Sequence, residues 1–308
     1  MILQSESVMP NRIYCHIGLP KTATTSLQLD YFPYVDSSRF DYLGVKQPRG
    51  EGANDPLYDL IIKAVNTGDD LELVNQMLKA RIEEGGKSII ISEEMFTVSS
   101  GETTWQNKLY RLRSVLDGID YRVFATVREP VSAMFSFYVE LYHRFRGEKD
   151  GFPALARSSN DFLIYRYEEL VKLMVATFGE SSIYFQRFED ILQGNHEGLA
   201  RFLDSPEMEE GYSLIGNHNK KNKKDKIVYV PVRPRLRWVS KMYNYFGGEG
   251  SAVARLFKSL LSPLVDKIRS ANYRTVAVPM LDEKERDKLE KELGRSISQL
   301  SERFGVKY

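Results

Sequence analysis

One cysteine in 308 residues excludes a fold built on disulfides and a cysteine metal site. That residue, Cys15, lies in an apolar run and reads as a small core side chain. The four histidines (His16, His143, His196 and His218) show neither H-x-x-x-H nor H-E-x-x-H spacing, so no metal is expected. Neither sign of charge predominates. Lys and Arg number 43 against 42 Asp and Glu, a net charge of +1, which provides no global field for nucleic acid. No stretch approaches the ~18 consecutive apolar residues of a membrane-spanning helix. Residues 1–11 are polar and lack the apolar core of a signal peptide. A cytoplasmic protein is therefore expected. No internal repeat is present.

What the chain does contain is two strand–turn–helix patterns with cationic turns. The first reads Arg12-Ile-Tyr-Cys-His-Ile-Gly-Leu-Pro-Lys-Thr-Ala-Thr-Thr-Ser-Leu-Gln28. Ile13 to Ile17 is an apolar, β-branched strand. Gly18 and Pro20 break it, and Lys21 and four hydroxyl residues (Thr22, Thr24, Thr25, Ser26) follow before the pattern turns helical. Backbone N–H groups at a helix start, together with a lysine, suit an anion such as a phosphate. The nucleotide-triphosphate loop G-x-x-x-x-G-K-[ST] is not matched, because Pro20 stands where a second glycine should precede Lys21.

The second pattern is the strand Tyr121 to Val127, followed by Arg128-Glu-Pro-Val-Ser-Ala-Met-Phe-Ser136. Pro130 suits the first turn of a helix, and Val131, Met134, Phe137, Tyr138 and Leu141 recur at helical spacing. An arginine fork at a strand end, with a hydroxyl two turns into the next helix, can hold a second phosphate through charge-assisted hydrogen bonds.

Together these motifs resemble those of sulfotransferases that use 3′-phosphoadenosine 5′-phosphosulfate (PAPS). Phosphosulfate loops of that family read P-K-[ST]-[GA]-T-[TS]-x-L. Pro20 to Leu27 matches throughout, with Ala23 where many members carry glycine. The family's R-x-P-x-x-x-x-x-S pattern is met by Arg128, Pro130 and Ser136. The resemblance implies that Lys21, Thr22, Ala23, Thr24, Thr25 and Ser26 hold the 5′-phosphosulfate, with Lys21 neutralising the leaving phosphate. It implies that Arg128 and Ser136 grip the 3′-phosphate, and that no metal is needed. Ser92-Glu93-Glu94 resembles a Ser-[DE]-Glu run that ends a strand in bacterial members. This places the general base at Glu94, with Glu93 as the alternative. Arg187-Phe-Glu-Asp190 resembles the family's R-[YF]-E-D element and is taken as structural. Lys220, Lys221, Lys223 and Lys224 form the one dense basic cluster. It reads either as a solvated loop or as a lid over the 3′-phosphate, since members often place a late basic loop there. The resemblance covers residues 12 to about 205.

Along the chain, strands are expected at 13–17, 40–45, 87–92, 121–127 and 182–186, alternating with helices. Residues 57–82 predict a helix or helix pair broken near Gly68, ended by Gly85-Gly86; 109–116 and 160–178 predict helices. The fold class that follows is α/β: a P-loop-like three-layer arrangement with a central, mainly parallel sheet flanked by helices, plus a helical C-terminal extension. Residues 1–210 would form the PAPS-binding core. Residues 211–308 would carry the basic loop, an extended connector (228–234), two basic amphipathic helices (235–246 and 252–268) and a charged helix (281–304) broken at Gly294, packed on the core as one domain. In such sheets ligands sit beyond the strand carboxyl ends, which is where Lys21, Glu93, Glu94 and Arg128 fall.

The expected activity is transfer of a sulfuryl group to an acceptor hydroxyl on a glycan, with small alcohols and phenols also open. Two other readings stand beside it. One is a P-loop nucleotide kinase, distinguished by magnesium dependence. The other is a non-enzymatic phosphate- or membrane-binding module built on the basic helices, which would bring the chain to anionic membrane.

Overall fold

The computed structural model describes residues 11–45, 54–145, 151–205, 228–232, 262–263, 274–278 and 281–306. The elements run β1 (Ile13–His16), α1 (Thr24–Asp30), β2 (Phe40–Tyr42), α2 (Pro56–Thr67), α3 (Leu71–Gly85), β3 (Ser88–Ser92), α4 (Trp105–Val115), β4 (Tyr121–Val127) and α5 (Pro130–Glu140). There follow α6 (Tyr142–Phe145), α7 (Gly151–Ser158), α8 (Asn160–Leu163), α9 (Tyr167–Phe178), β5 (Ile183–Arg187), α10 (Phe188–Leu192) and α11 (Glu197–Leu203). The strands β6 (Val228–Val232) and β7 (Arg274–Val278) and a last helix, α12 (Glu283–Phe304), complete the described elements.

Strands β1 to β5 form one sheet in the order β2-β3-β1-β4-β5, with parallel pairing throughout. Every residue of β1 and β3 is buried, on both faces of the sheet. Their sequences IYCH and SIIIS do not alternate as a half-solvated strand would, and helices must cover both sides. On one face Tyr14, Ile90 and Phe124 pack with Leu27 and Tyr31 at α1 and with Leu199, Phe202 and Leu203 of α11. This is the α/β architecture expected: a parallel central sheet between helices.

The chain divides into two compact units. One comprises Met1–Phe137, Phe152–Lys221 and Asp282–Tyr308 and holds the five-stranded sheet; the other comprises Tyr138–Gly151 and Asn222–Leu281 and holds the antiparallel pair β6–β7. The last helix thus belongs with the sheet, packing on α9.

Three local expectations are corrected. Helix α12 runs unbroken through Gly294. One internal glycine costs a helix only about 1 kcal/mol, and here the buried Leu289, Leu293, Ser296 and Leu300 and the Arg157–Glu292 and Arg303–Glu180 ion pairs hold it. The stretch read as a connector contains β6, whose partner lies some forty residues downstream and left no local trace. Pro231 is tolerated there because both strands of a two-stranded ribbon are edges. The helix expected over 160–178 is two, α8 and α9, parted at residues 164–166, where Arg166 leaves the helical conformation (φ −85°, ψ 88°). Residues 235–246, and 252–268 apart from 262–263, lie outside the described residues.

Candidate active site

The site is assembled by strand order. β1 is flanked by β3 on one side and β4 on the other, so the turns that follow all three leave the same edge of the sheet side by side. The chain leaves β1 towards β2 and leaves β4 towards β5, in opposite directions along the sheet. β1 and β4 therefore flank a topological switch point, where α/β sheets open a crevice. The pairing continues past the strand ends, with Ile17 N–H donating to the Phe124 carbonyl (3.0 Å) and Glu93 N–H to the His16 carbonyl (3.0 Å).

After β1 the backbone turns left-handed at Gly18 (φ 30°), Lys21 (φ 67°) and Ala23 (φ 67°). Gly18 is required twice over: by its φ, and because a Cβ there would lie 2.5 Å from Thr24 Oγ1. Lys21 and Ala23 hold their conformation at a cost on the order of 1–2 kcal/mol each. Ala23 is the N-cap of α1 and brings no side-chain acceptor to the first turn. Backbone N–H groups at a helix start of this kind suit an anion. Thr22 and Thr24 are buried, and both hydroxyls turn back on the Leu19 carbonyl, at 2.6 and 3.4 Å. They brace the loop from within. Ser26 is buried; Lys21 and Thr25 are half-buried.

Arg128, half-buried at the end of β4, reaches across to this loop: its Nη1 donates to the Lys21 carbonyl at 3.3 Å. Its guanidinium lies 5.0 Å over the ring of Phe188, at the end of β5. Ser136 is half-buried on α5. The helix start is fixed by Glu129, whose carboxylate accepts from Val131 N–H (2.8 Å) and Ser132 N–H (2.7 Å). Lys220 and Lys221 lie outside the described residues.

The two glutamates after β3 have different settings. Glu93 is buried; one carboxylate oxygen accepts from Met95 N–H at 2.7 Å and the other from the Tyr58 hydroxyl of α2. Glu94, half-buried, opens a short 3-10 turn, Glu94–Thr97. That turn is tied to the loop after β1, because Thr97 Oγ1 donates to the carbonyls of Gly18 (2.7 Å) and Glu94 (2.8 Å). Behind it Gln28 Nε2 donates to the Ser92 carbonyl (2.9 Å). His16 is fully buried, 2.8 Å from Ser92 Oγ through Nδ1 and 5.4 and 5.5 Å from the rings of Phe32 and Phe124. Burial pulls its pKa down to about 3, so it is a neutral core residue.

The structure thus brings the Lys21 loop, the Glu93–Thr97 turn and Arg128 together. It also supplies residues for which the sequence held no signal. Tyr165 donates to the Pro20 carbonyl at 2.9 Å. The Tyr167 hydroxyl accepts from Arg128 N–H at 3.0 Å and donates to the Arg128 carbonyl. One short stretch before and within α9 therefore holds the loops after both β1 and β4. Thr97 and Tyr58 act through bonds 79 and 35 residues long in sequence, which no local pattern announces.

No family model matches the chain, and no curated protein matches it. The crystal structure of a sulfotransferase from Alicyclobacillus acidocaldarius is similar over 84% of this chain and 97% of that chain, at 14% sequence identity and a TM-score of 0.39, a likeness too distant to carry an argument about function.

Proposed function

We propose that this chain is a PAPS-dependent sulfotransferase whose acceptor is a hydroxyl, on a glycan in the first instance. One observation carries the reading. Two cationic turns that match phosphate-gripping motifs, 107 residues apart, stand on neighbouring parallel strands and touch through Arg128 and the Lys21 carbonyl. A donor with phosphates at two positions needs two such grips at one sheet edge. The strained, uncapped Lys21–Ala23 turn suits the 5′-phosphosulfate. Arg128 and Ser136 suit the 3′-phosphate, with Phe188 as an apolar floor beneath the guanidinium.

In the reaction the acceptor oxygen forms a bond to sulfur while the bond from sulfur to the phosphate oxygen breaks. The acceptor proton passes to a carboxylate, and the bisphosphate leaves with both electrons of the broken bond. The chain's tasks are to align donor and acceptor, neutralise the leaving phosphate and take the proton. Lys21 and the loop amides serve the second task. Glu94 is assigned the third, with Glu93 as the alternative. Lys220 and Lys221 are proposed to close over the 3′-phosphate. No metal is required by this scheme, and the proposed setting is the cytoplasm, with membrane contact through the basic segment 235–268.

The test is incubation with sulfur-labelled PAPS in the presence of EDTA and a panel of glycans, alcohols and phenols. Label transferred to an acceptor, or released as sulfate, is the expected result. Transfer from ATP that requires magnesium, with none from PAPS, would overturn the reading in favour of a kinase.

A further inference from the structure

Helix α4 buries Trp105, Lys108, Leu109, Leu112 and Val115. The spacing i, i+3, i+4, i+7 is that of an apolar stripe, and Lys108 occupies one of its positions. Its side chain is among the largest fully buried ones in the described residues. Lysine is almost never so placed unless paired. A local rule broken at a core position calls for a compensating role. The partners are at hand. Nζ donates to the Met95 carbonyl at 3.0 Å, and the charge of Glu93 favours its protonated form. Burial lowers the Lys108 pKa to about 8 while Glu93 opposes the fall, so the group is an ammonium at neutral pH.

Glu93 has both carboxylate oxygens engaged inside the protein, by Tyr58 and by Met95 N–H. Three elements therefore converge on one short turn: Tyr58 from α2, Lys108 from α4, and Thr97 bridging it to Gly18. The turn carries Glu94. The same residue, Met95, is held by its N–H through Glu93 and by its carbonyl through Lys108.

We infer that Lys108 is a positioning residue for sulfuryl transfer: with Glu93 as its internal counter-ion, it fixes the turn that presents Glu94 beside the Lys21 loop. The assignment rests on the sulfotransferase reading. It separates the two glutamates by role, Glu93 neutralising a buried ammonium and Glu94 receiving the acceptor proton.

The experiment compares the full chain with Lys108→Met and Lys108→Ala in two assays: calorimetric binding of 3′-phosphoadenosine 5′-phosphate, and release of labelled sulfate from PAPS to water, an acceptor always present. The expected result for both variants is bisphosphate affinity within about threefold of the parent and sulfate release reduced about a hundredfold, the scale of a small misplacement of a reacting group. Propylammonium in the buffer should restore much of the rate to Lys108→Ala and none to Lys108→Met, whose side chain fills the space. A lysine that merely stabilised the fold would show no such rescue. If Lys108→Met does not fold, the double variant Lys108→Met/Glu93→Gln removes both charges together. It should bind the bisphosphate and remain slow, because the Met95 carbonyl has lost its ammonium donor and keeps only the longer bond from Val98 N–H (3.4 Å). Unchanged sulfate release, or release and affinity lost in parallel without rescue, would overturn the role of Lys108 alone. Failure of the parent chain to bind the bisphosphate would overturn the sulfotransferase reading and this inference with it.

Discussion

Arg128 has its backbone fixed before its guanidinium meets any ligand. Tyr167 holds both its N–H and its carbonyl, and Phe188 supports the charged plane from below. A fork so placed loses little freedom on binding. Hydrogen bonds to charged groups contribute about 1.5–3 kcal/mol, so Arg128→Ala should weaken binding of 3′-phosphoadenosine 5′-phosphate about ten- to a hundredfold. Affinity for AMP, which lacks the 3′-phosphate, should not change; equal losses for both ligands would refute the assignment. At Ala23 the left-handed conformation supplies a physical reason for the glycine that stands there in many proteins with this motif. Ala23→Gly should raise stability by about 0.5–1 kcal/mol in denaturant unfolding; a decrease would show that the turn is not strained. His16 sets an acid limit. The unfolded chain takes up a proton near pH 6.5 that the folded chain refuses until about pH 3. The unfolded state therefore binds more protons in this window, and stability falls as pH drops through it. His16→Gln should flatten the slope of Tm against pH below 6.5; an unaltered slope would show that His16 is not the group responsible. At this scale the placement of Lys21 and Arg128 just past strand ends was legible, because the strand and turn residues before them are local. The different settings of Glu93 and Glu94 were not, because Tyr58 reaches Glu93 from 35 residues away and the turn is tied to Gly18 by a bond that spans 79.

Element by element, the sequence pattern predicted most of what the sheet required. The β4 strand falls at 121–127 as its β-branched content demands, and Gly68 and Gly86 stop α2 and α3 in left-handed caps. Failures came where long-range packing overrides a local breaker. Gly294 lies inside α12, and a Cβ there would meet nothing within 4 Å. Gly294→Ala should therefore raise stability by about 1 kcal/mol with no effect on bisphosphate binding. A loss of stability, read from the midpoint of urea unfolding, would mean that the helix needs the glycine after all. The β6–β7 ribbon shows the opposite failure. A five-residue strand carrying a proline looks like a connector until a partner from residues 274–278 pairs with it.

For the molecule as a whole, the decisive property is the order β2-β3-β1-β4-β5. From sequence, three chemistry-bearing turns could be placed after three strands, but not beside one another. Adjacency comes from the sheet: β1 in the middle puts the Lys21 loop between the Glu93–Thr97 turn and Arg128. Any order that separated β1 from β4 would leave two unrelated cationic turns. The central claim is that this edge is one site for a nucleotide with phosphates at two positions. Calorimetric titration with 3′-phosphoadenosine 5′-phosphate, AMP and ATP, in the absence of magnesium, tests it most directly. Tight binding of the bisphosphate, with AMP and ATP much weaker, is the predicted result. Preference for ATP, or no binding of the bisphosphate, would contradict the account.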